Sequence, residues 1–403
     1  MKRFYTQLVE NHFLKHRQML FLTGPRQVGK TTIAQSLKKS WKAFYYFNWD
    51  VVEDRQLILK GQGPLAEYIG LHAAKEREPL VVFDELHKYK DWKNFLKGFY
   101  DAYADQVKIL VTGSAHLNLF HHSGDSLMGR YFYYRIHPFS VAELVSPQNG
   151  EEEIHPQPRE ILEEEFENLW EFGGYPDPYL TADLEFFKKW SRTRKEQLFK
   201  GEIQSLTTIR ELDLLEVFAE MLAENAGQQL SYSSYSKHLR VSDKSIRSWC
   251  DTLTHFYYSF NVKPWSKNVA RSLIKEPKTY LWDWALVKDA GRRAENFVAS
   301  HLLKAVHLYT DQGYGDYQLW YLRTKDQREV DFLVTKDNQP WFLVEVKKSN
   351  SKTISPDLVY FHETLQVPHA FQVVMDLPFQ NVNCFEYERP VIVPAKTLLS
   401  QLA

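Results

Sequence analysis

Short apolar runs separated by longer amphipathic stretches dominate the first part of the chain. The apolar runs occupy residues 19–23, 43–47, 80–83 and 108–112. Runs of strand length that alternate with helical stretches are typical of a parallel sheet covered by helices. The pattern therefore predicts an α/β domain with a parallel sheet over residues 1–150.

A charged segment interrupts this pattern and is followed by helical periodicity. Residues 151–167 contain eight Glu against one Arg, together with Pro156 and Pro158. Such a composition is typical of a solvated connector. A turn cluster, GGYPDPYL, follows at residues 173–180, and a long helical stretch then continues to about residue 227. We interpret residues 151–228 as an acidic connector and a helical region.

Residues 229–290 show the order helix, turn, helix and two strands. Ser231 and Ser242 are suitable N-caps, and side chains recur with helical spacing at residues 245, 246, 249 and 253. The aromatic stretch 256–261 and the strand-like stretch 278–284 bracket a basic loop. This order predicts a winged-helix-like domain.

The C-terminal part, residues 291–403, alternates again between helix and strand patterns. A helix is predicted at 292–307, strands at 318–322, 330–334 and 341–346, a second helix at 356–365 and a last strand at 370–375. We therefore expect a second α/β domain in this part of the chain.

Composition limits the class of protein without indicating a partner. An apolar fraction of 44% and a charged fraction of 25% are those of a soluble globular protein. The 50 Lys and Arg nearly cancel the 51 Asp and Glu, so any nucleic-acid surface must be a local patch. Cys250 and Cys384 are too few for a disulfide framework and lack metal-ligand spacing. No apolar stretch reaches the ~18 residues of a membrane helix. A cytoplasmic protein without a membrane partner is expected.

The segment GPRQVGKTT fits the phosphate-binding pattern G-x-x-x-x-G-K-[ST] between a predicted strand and a predicted helix. Glycines let the backbone curl so that N–H groups converge on phosphate oxygens at a helix N-terminus. Lys30 is expected to pair with the β and γ phosphates of ATP, and the Thr31 hydroxyl to bind Mg²⁺. The predicted nucleotide-binding residues are Gly24, Pro25, Arg26, Gln27, Val28, Gly29, Lys30, Thr31 and Thr32.

Polar residues at two later strand ends supply the other parts of an ATPase. Asp84 and Glu85 end the apolar strand at 80–83. Asp84 is expected to lie near the metal and Glu85 to polarise the attacking water. Ser114, or Thr112, is a candidate sensor of the γ-phosphate, although either also suits a plain turn.

At this point the sequence resembles the prokaryotic AAA-type ATPases of the GPRQVGKT class, which carry a C-terminal domain of unknown function with a restriction-endonuclease-like core. The resemblance covers nearly the whole chain. It rests on GPRQVGKTT (24–32), VVFDELHK (81–88), LVTGSA (110–115), SLMGRYFYYRIHPFS (126–140), GGYPDP (173–178), RAENFV (293–298), REVDFLV (328–334) and VEVKKS (344–349).

The resemblance implies a role for Arg130, whereas a residue pair found in the relatives is replaced in this chain. Arg130, in SLMGRY, resembles an arginine finger offered to the nucleotide of a neighbouring subunit in a homo-oligomer. A surface arginine that begins a strand is the alternative. Where relatives carry an Arg-Asp pair after GGYP, this chain has Lys200, Gly201 and Glu202. No role of that pair can therefore be transferred.

A local excess of positive charge marks the middle of the chain. Residues 231–280 contain nine Lys and Arg against three Asp and Glu. The positive side chains lie on the second predicted helix and in the predicted wing: Lys244, Arg247, Lys263, Lys267, Arg271, Lys275 and Lys278. Such a surface favours salt-sensitive, non-specific DNA binding. Winged helices also serve as protein-interaction modules, and this alternative stays open.

The last constellation combines acids and a lysine from a helix and two strands. Glu345 and Lys347 are two residues apart and share one face of a strand, and Asp331 reaches that face if the two strands form a hairpin. Carboxylates so placed bind Mg²⁺, with a lysine that orients or activates water. This is the D…ExK arrangement of PD-(D/E)xK restriction-type nucleases, and Glu295 resembles their additional helix acid. Such cores also persist for DNA binding or packing after activity is lost.

The sequence therefore predicts a Mg²⁺-dependent ATPase with a winged helix and a nuclease-like C-terminal domain, acting on DNA. Two other functions remain. One is a nucleotide-gated switch in a protein complex, without nuclease activity, and the other is an ATP-dependent nuclease with both sites competent.

Overall fold

The computed structural model of the protein describes residues 3–71, 78–113, 127–147, 153–207, 209–266, 276–349 and 353–402. The chain divides into two compact units, one of Met1–His137 with Pro147–Asn149 and one of Pro138–Ser146 with Gly150–Ala403. The predicted division into four parts stays a prediction.

The described residues of the first unit form a five-stranded parallel sheet in the order β2-β3-β4-β1-β5. The strands are β1 (Met19–Thr23), β2 (Phe44–Asn48), β3 (Leu80–Asp84), β4 (Lys108–Thr112) and β5 (Tyr131–Arg135). β1 and β3 are buried along their whole length, as expected of strands covered on both faces. The predicted parallel α/β fold of this unit is confirmed. Because β4 lies between β1 and β3, the carboxyl ends of the three strands lie side by side.

Helices and short 3₁₀ turns connect these strands. The helices are α1 (Phe4–Lys15), α2 (Lys30–Ser36), α3 (Val52–Leu59), α4 (Gln62–Ile69) and α5 (Trp92–Tyr103). α5 packs a buried aromatic face, which includes Phe95 and Phe99, against Phe83 of β3.

The second unit begins with a helical region. The helices described in the second unit include α6 (Val141–Val145), α7 (Glu163–Phe172), α8 (Pro176–Thr181), α9 (Leu184–Glu196), α10 (Gln204–Leu206), α11 (Leu212–Glu224), α12 (Tyr232–Leu239) and α13 (Asp243–His255), followed among the later strands by α14 (Ala290–Asp311), α15 (Pro356–Leu365) and α16 (Ala395–Gln401). A π-helical segment, Gln197–Ile203, joins α9 to α10 and contains the Lys-Gly-Glu replacement noted above.

One local expectation in this region is wrong. The predicted turn cluster at 173–180 ends early, because Pro176 occupies the first turn of α8, where its fixed φ and missing N–H cost nothing. The acidic connector stays a prediction, and Glu160, Glu163, Glu164 and Glu167 are exposed. Ile154 forms a β-bridge with Leu402, and the His155 N–H donates to the Gln401 oxygen at 2.9 Å.

A seven-stranded mixed sheet in the order β12-β11-β10-β9-β8-β6-β7 completes the second unit. Its strands are β6 (Ser259–Pro264), β7 (Lys278–Leu281), β8 (Tyr317–Arg323), β9 (Glu329–Lys336), β10 (Gln339–Lys347), β11 (His369–Val374) and β12 (Val391–Pro394). β8, β9 and β10 are antiparallel neighbours, and β11 is parallel to β10.

The strands expected to bracket a wing belong to this sheet. β6 pairs antiparallel with β7 and also parallel with β8. The predicted domain boundary at residue 290 therefore falls between β6 and β8, two strands that are hydrogen-bonded to each other. Among the helices that the structure describes, none is long and apolar enough to cross a membrane.

Candidate nucleotide site and carboxylate cluster

The loop between β1 and α2 has a backbone that requires glycine at two positions. Gly24 has φ +143°, and a Cβ built on it would lie 2.4 Å from the backbone oxygen of Ile136. Gly29, the N-cap of α2, has φ +93°. Side chains other than glycine rarely adopt such values. The two glycines of the phosphate-binding pattern are therefore required by the shape of the loop.

The side chain of Lys30 folds against the same loop. It is 7% exposed, and its Nζ donates hydrogen bonds to the backbone oxygens of Gly24 at 2.9 Å and Pro25 at 2.6 Å. The ammonium group is thus held beside the loop, the position from which a P-loop lysine reaches the outer phosphates.

An arginine that sequence reasoning missed fixes the loop. Arg3 precedes α1 and donates through Nη1 to the Val28 oxygen at 2.7 Å and through Nη2 to the His137 oxygen at 2.6 Å. It is only 6% exposed. Hydrogen bonds from a guanidinium group are stronger than those between neutral groups. No local pattern marks Arg3, because its partners lie far away in sequence.

Three hydroxyl groups converge on the carboxylate of Asp84, the last residue of β3. Thr31 Oγ1 donates to Asp84 Oδ2 at 2.9 Å, the Tyr46 hydroxyl donates to the same oxygen, and the Thr112 hydroxyl donates to Oδ1. Strand register places two of these donors. Thr112 of β4 pairs directly with Asp84, and Tyr46 lies two residues before Asn48, the residue of β2 that pairs with Asp84. The carboxylate is 3% exposed and sits directly beside the phosphate-binding helix.

Tyr46 is a further site residue that the sequence did not indicate. Burial raises its pKa, and the hydrogen bond to the Asp84 carboxylate raises that pKa further. The phenol therefore remains a donor at neutral pH. Within the aromatic strand FYYFN, a tyrosine suggests sheet packing rather than a polar contact. Thr112, the alternative to Ser114 as sensor of the γ-phosphate, donates its hydroxyl hydrogen bond to Asp84. Ser114 itself lies outside the described residues, and its role stays a prediction.

Glu85 follows Asp84 in a left-handed backbone conformation with φ +57°. Its N–H donates to the Thr112 oxygen at 3.1 Å. Its Oε2 lies 3.3 Å from Lys88 Nζ and 3.7 Å from His87 Nε2. A left-handed glutamate is uncommon and costs about 1–3 kcal/mol. The conformation turns the side chain toward the basic residues of its own turn.

Arg130 forms a two-point ion pair within its own chain. Nε donates to Asp101 Oδ1 at 2.6 Å, and Nη2 donates to Asp101 Oδ2 at 3.0 Å. This hydrogen bond lowers the pKa of Asp101. The Arg130 side chain is 28% exposed, and the residue directly precedes β5. Its predicted role toward a neighbouring subunit stays a prediction.

In the second unit, β9 and β10 form the antiparallel hairpin that the D…ExK hypothesis requires, with Phe332 opposite Val344. The Val346 N–H donates to Asp331 Oδ2 at 2.8 Å. Lys347 Nζ donates to Glu345 Oε1 at 2.8 Å. The hairpin therefore brings Asp331, Glu345 and Lys347 into one neighbourhood.

A lysine from β7 joins these acids and Glu295 of α14. Lys278 Nζ lies 3.0 Å from Glu295 Oε1, 2.7 Å from Glu329 Oε1 and 3.5 Å from Asp331 Oδ1. The expectation that Lys278 belongs to a basic wing surface is therefore wrong. The residue is 4% exposed because β7 is a strand of the seven-stranded sheet.

Two acids of this cluster, Glu295 and Glu345, have a raised pKa. Burial raises the pKa of Glu295 to about 7, and the charge of Asp331 adds to this effect. Burial and the same aspartate also raise the pKa of Glu345 to about 7. The Tyr280 hydroxyl donates to Glu295 Oε1 at 2.6 Å. Buried neighbouring carboxylates disfavour full ionisation, so the cluster depends on the positive charges beside it.

The cluster does not fit a metal as it is arranged. Within the described ranges, no group of three or more His, Cys, Asp or Glu side chains is placed to hold a metal ion. The Mg²⁺ site predicted at Glu295, Asp331 and Glu345 stays a prediction. By contrast, Thr31 and Asp84 fit Mg²⁺ at a nucleotide, because this ion takes one or two protein oxygens there and completes its shell with phosphate and water.

Part of the predicted basic surface remains. Lys244 and Arg247 of α13 and Lys263 of β6 are exposed. The Arg247 guanidinium lies 3.9 Å from the centre of the Tyr232 ring. The other predicted positions of the wing, Lys267, Arg271 and Lys275, lie outside the described residues.

Comparison with known families agrees with the geometry of the first unit. Residues 16–145 match a family model described as an AAA domain. Residues 163–295 and 290–383 match two domains of unknown function, DUF8612 and DUF4143. The N-terminal part of the chain is therefore an AAA-type P-loop ATPase domain, followed by two domains whose functions the family models do not state.

Two uncharacterized proteins, one of Mycobacterium bovis and one of Mycobacterium tuberculosis, are similar along most of the chain. Each is 22% identical over 357 residues, which are 85% of this chain and 73% of the relative. Their descriptions state no activity.

Three solved structures show a weaker likeness. AMPPCP-bound DnaA from Aquifex aeolicus is 12% identical with a TM-score of 0.32, over 62% of this chain and 86% of that one. PCH-2 of C. elegans is 14% identical with a TM-score of 0.24, over 60% and 65%. A STAND protein with a tetratricopeptide repeat sensor from Pyrococcus horikoshii is 14% identical with a TM-score of 0.27, over 75% and 45%. Likeness at this level carries no inference about function.

Proposed function

We propose that the chain is a Mg²⁺-dependent ATPase. The observation that carries this proposal is the contact between Thr31 of the phosphate-binding helix and Asp84 at the end of β3. A hydroxyl and a carboxylate at this separation supply the oxygen ligands that Mg²⁺ takes in nucleotide sites. The required glycine backbone of the loop supports the same function.

The proposed reaction is attack of water on the γ-phosphate, which yields ADP and phosphate. Lys30 binds the outer phosphates, and Thr31 and Asp84 hold Mg²⁺, which neutralises phosphate charge when bound. Glu85 polarises the attacking water once its side chain leaves Lys88 and His87. Thr112 or Ser114 senses the γ-phosphate. Gly24 to Thr32 provide the cradle.

Two variants test this chemistry. Lys30→Ala should abolish binding of a fluorescent ATP analogue, because the loop loses its cation. Glu85→Gln should keep that binding within about twofold while lowering turnover at least about 100-fold, because only the transition state needs the base. Lys38→Ala, on the 3₁₀ turn that follows the same helix, is the matched lysine control. Retained ATP affinity in Lys30→Ala, or unchanged turnover in Glu85→Gln, would contradict the assignment.

We further propose that the ATPase acts on DNA through the basic face of α13 and β6 and through a C-terminal domain with a nuclease-like fold. The order of elements supports the fold proposal: α14, the antiparallel strands β8, β9 and β10, α15, and then β11. The exposed Lys244, Arg247 and Lys263 support contact with phosphates.

A second candidate function is a nucleotide-gated switch with an inactive nuclease-like domain. The contacts of Lys278 favour it, since this lysine lies among the acids that metal-dependent cleavage would need. Incubation of DNA with the protein and Mg²⁺ or Mn²⁺ separates the two. Cleavage that disappears in Asp331→Asn would support the nuclease, and absence of cleavage with intact ATP turnover would support the switch.

A further inference from the structure

Several acids of the C-terminal cluster contact the ammonium group of one lysine, Lys278. Lys278 Nζ contacts carboxylates from α14 and β9: Glu295 at 3.0 Å, Glu329 at 2.7 Å and Asp331 at 3.5 Å. The lysine side chain is only 5% exposed. A buried ammonium group is stable only when it is paired and hydrogen-bonded in this way.

The backbone holds this lysine in place from both sides. Lys278 begins β7 and pairs with Val262 of β6 on one side. On the other side it forms an isolated bridge with Gln229. Tyr280, two residues along the strand, shares the same face and donates to Glu295. The position of the Lys278 ammonium group is therefore fixed by backbone pairing on both edges of β7.

The carboxylate oxygens around Lys278 have further donors. Glu329 Oε2 accepts from Arg323 Nη1 at 3.0 Å. Asp331 Oδ2 accepts from the Val346 N–H at 2.8 Å. A divalent ion would have to displace these donors and leave the Lys278 ammonium group buried without its partners, which is strongly unfavourable.

We propose that the Lys278 ammonium group occupies the place of the divalent cation in a D…ExK cluster, so that this domain binds no metal there and does not cleave phosphodiester bonds. The inference rests on the proposed nuclease-like fold. In such nucleases the acids gather around Mg²⁺ at about 2.0–2.1 Å. Here Lys278 Nζ lies at hydrogen-bond distance from Glu295 and Glu329, and it forms an ion pair with Asp331 at 3.5 Å. The cluster thus has a structural role, because it links β7 to α14 and β9. Where the domain contacts DNA, it binds the DNA without metal-dependent cleavage.

Binding of Mn²⁺ to the full chain tests this, followed by electron paramagnetic resonance without nucleotide. All proteins carry Asp84→Asn, which weakens the other expected metal site. With Lys278 present, the cluster should take up no Mn²⁺. Lys278→Met, which keeps length and removes charge, should gain one saturable site. Adding Asp331→Asn should then lower that affinity by about tenfold or more. Lys336→Met, at a partly exposed lysine of β9 that pairs with Glu153, is the control and should gain none.

Two outcomes would overturn the inference. One is a Mn²⁺ site with Lys278 present that disappears in Asp331→Asn, and this measurement does not require the Lys278→Met protein to fold. The other is a folded Lys278→Met protein, with the circular dichroism of its parent, that gains no site. ATP turnover measured in Lys278→Met with Asp84 intact should equal wild type. A failure of the ATPase proposal would appear in wild type itself, and so would be distinguishable.

Discussion

At the scale of single residues, Asp84 is the point where the parts of the nucleotide site meet. Its donors come from three different elements: Thr31 from α2, Tyr46 from β2 and Thr112 from β4. Each donor restricts the orientation of the carboxylate, and a restricted carboxylate holds its ligand in one geometry. The Tyr46 hydroxyl interacts with Thr31 and Gln35 of α2 as well as with Asp84, so its effect on the reaction should pass through the Thr31–Asp84 pair. We therefore regard Tyr46 as a positioning residue.

Replacing Tyr46 by Phe tests this role. Tyr46→Phe removes one donor to a charged acceptor, a loss of about 1.5–3 kcal/mol, and we expect kcat to fall by about tenfold or more. The affinity for ATP without metal should change little, because no phosphate contact is lost. Tyr45→Phe, on the neighbouring residue that packs against the apolar core, is the control and should keep kcat. Equal loss in both variants, or a fall in metal-free ATP affinity alone, would contradict a positioning role.

The residues of this site differ in how far the sequence predicted them. Gly24, Gly29 and Lys30 form a local pattern, because one loop must curl and carry a cation within a few residues. Asp84 was predicted from its place at a strand end. Arg3 and Tyr46 were missed, because their partners are brought to them by the packing of α1 and by the register of β2 against β3. Contacts that depend on register leave no local pattern.

At the scale of elements, the same distinction separates two pairings of the second sheet. The β9–β10 hairpin could be considered from the sequence as the condition for the D…ExK arrangement, since the strands are adjacent in sequence and a short turn suffices. The parallel pairing of β6 with β8, seen between Lys263 and Trp320, joins strands with a long helix between them. The hydrophobic periodicity of a sequence does not indicate which distant strands pair. It places β7 at the end of the sheet, and Lys278 consequently faces acids rather than solvent.

The exposed face of α13 is predicted to bind DNA phosphates. If Lys244 and Arg247 contact phosphates, the double variant Lys244→Ala/Arg247→Ala should weaken binding of labelled duplex DNA. The slope of log K against log salt should decrease by up to about 2, since each lost phosphate contact removes about 0.9. Fluorescence anisotropy over a salt series measures both quantities.

The control removes the same number of charges from another helix. Lys188 and Lys189 are exposed on α9, and Lys188→Ala/Lys189→Ala should leave the salt slope unchanged. An affinity that does not vary with salt, or equal effects of the two double variants, would argue for a protein-interaction module in place of a DNA surface.

At the scale of the whole molecule, Arg130 raises the question of assembly. Its guanidinium group is bound at two points by Asp101 of the same chain. An arginine finger must reach a nucleotide, so the proposed role in a homo-oligomer requires Arg130 to exchange Asp101 for the phosphates of a neighbour. The ion pair is partly exposed, and such pairs are weak enough to exchange. A resting contact with Asp101 is therefore compatible with a second contact made only in an assembly.

Mixing two inactive chains tests whether Arg130 acts on a neighbouring nucleotide. Arg130→Ala and Glu85→Gln should each lower ATP turnover, the former by about 10³-fold if the arginine stabilises the transition state. In a mixed oligomer, a chain with intact Glu85 can receive Arg130 from the other chain, so turnover should recover on mixing. Arg130→Ala mixed with the double variant Arg130→Ala/Glu85→Gln contains no such pair and should stay inactive. Absence of recovery while native mass spectrometry detects mixed oligomers, or full turnover by a monomer, would place the catalytic role of Arg130 within one chain or remove it.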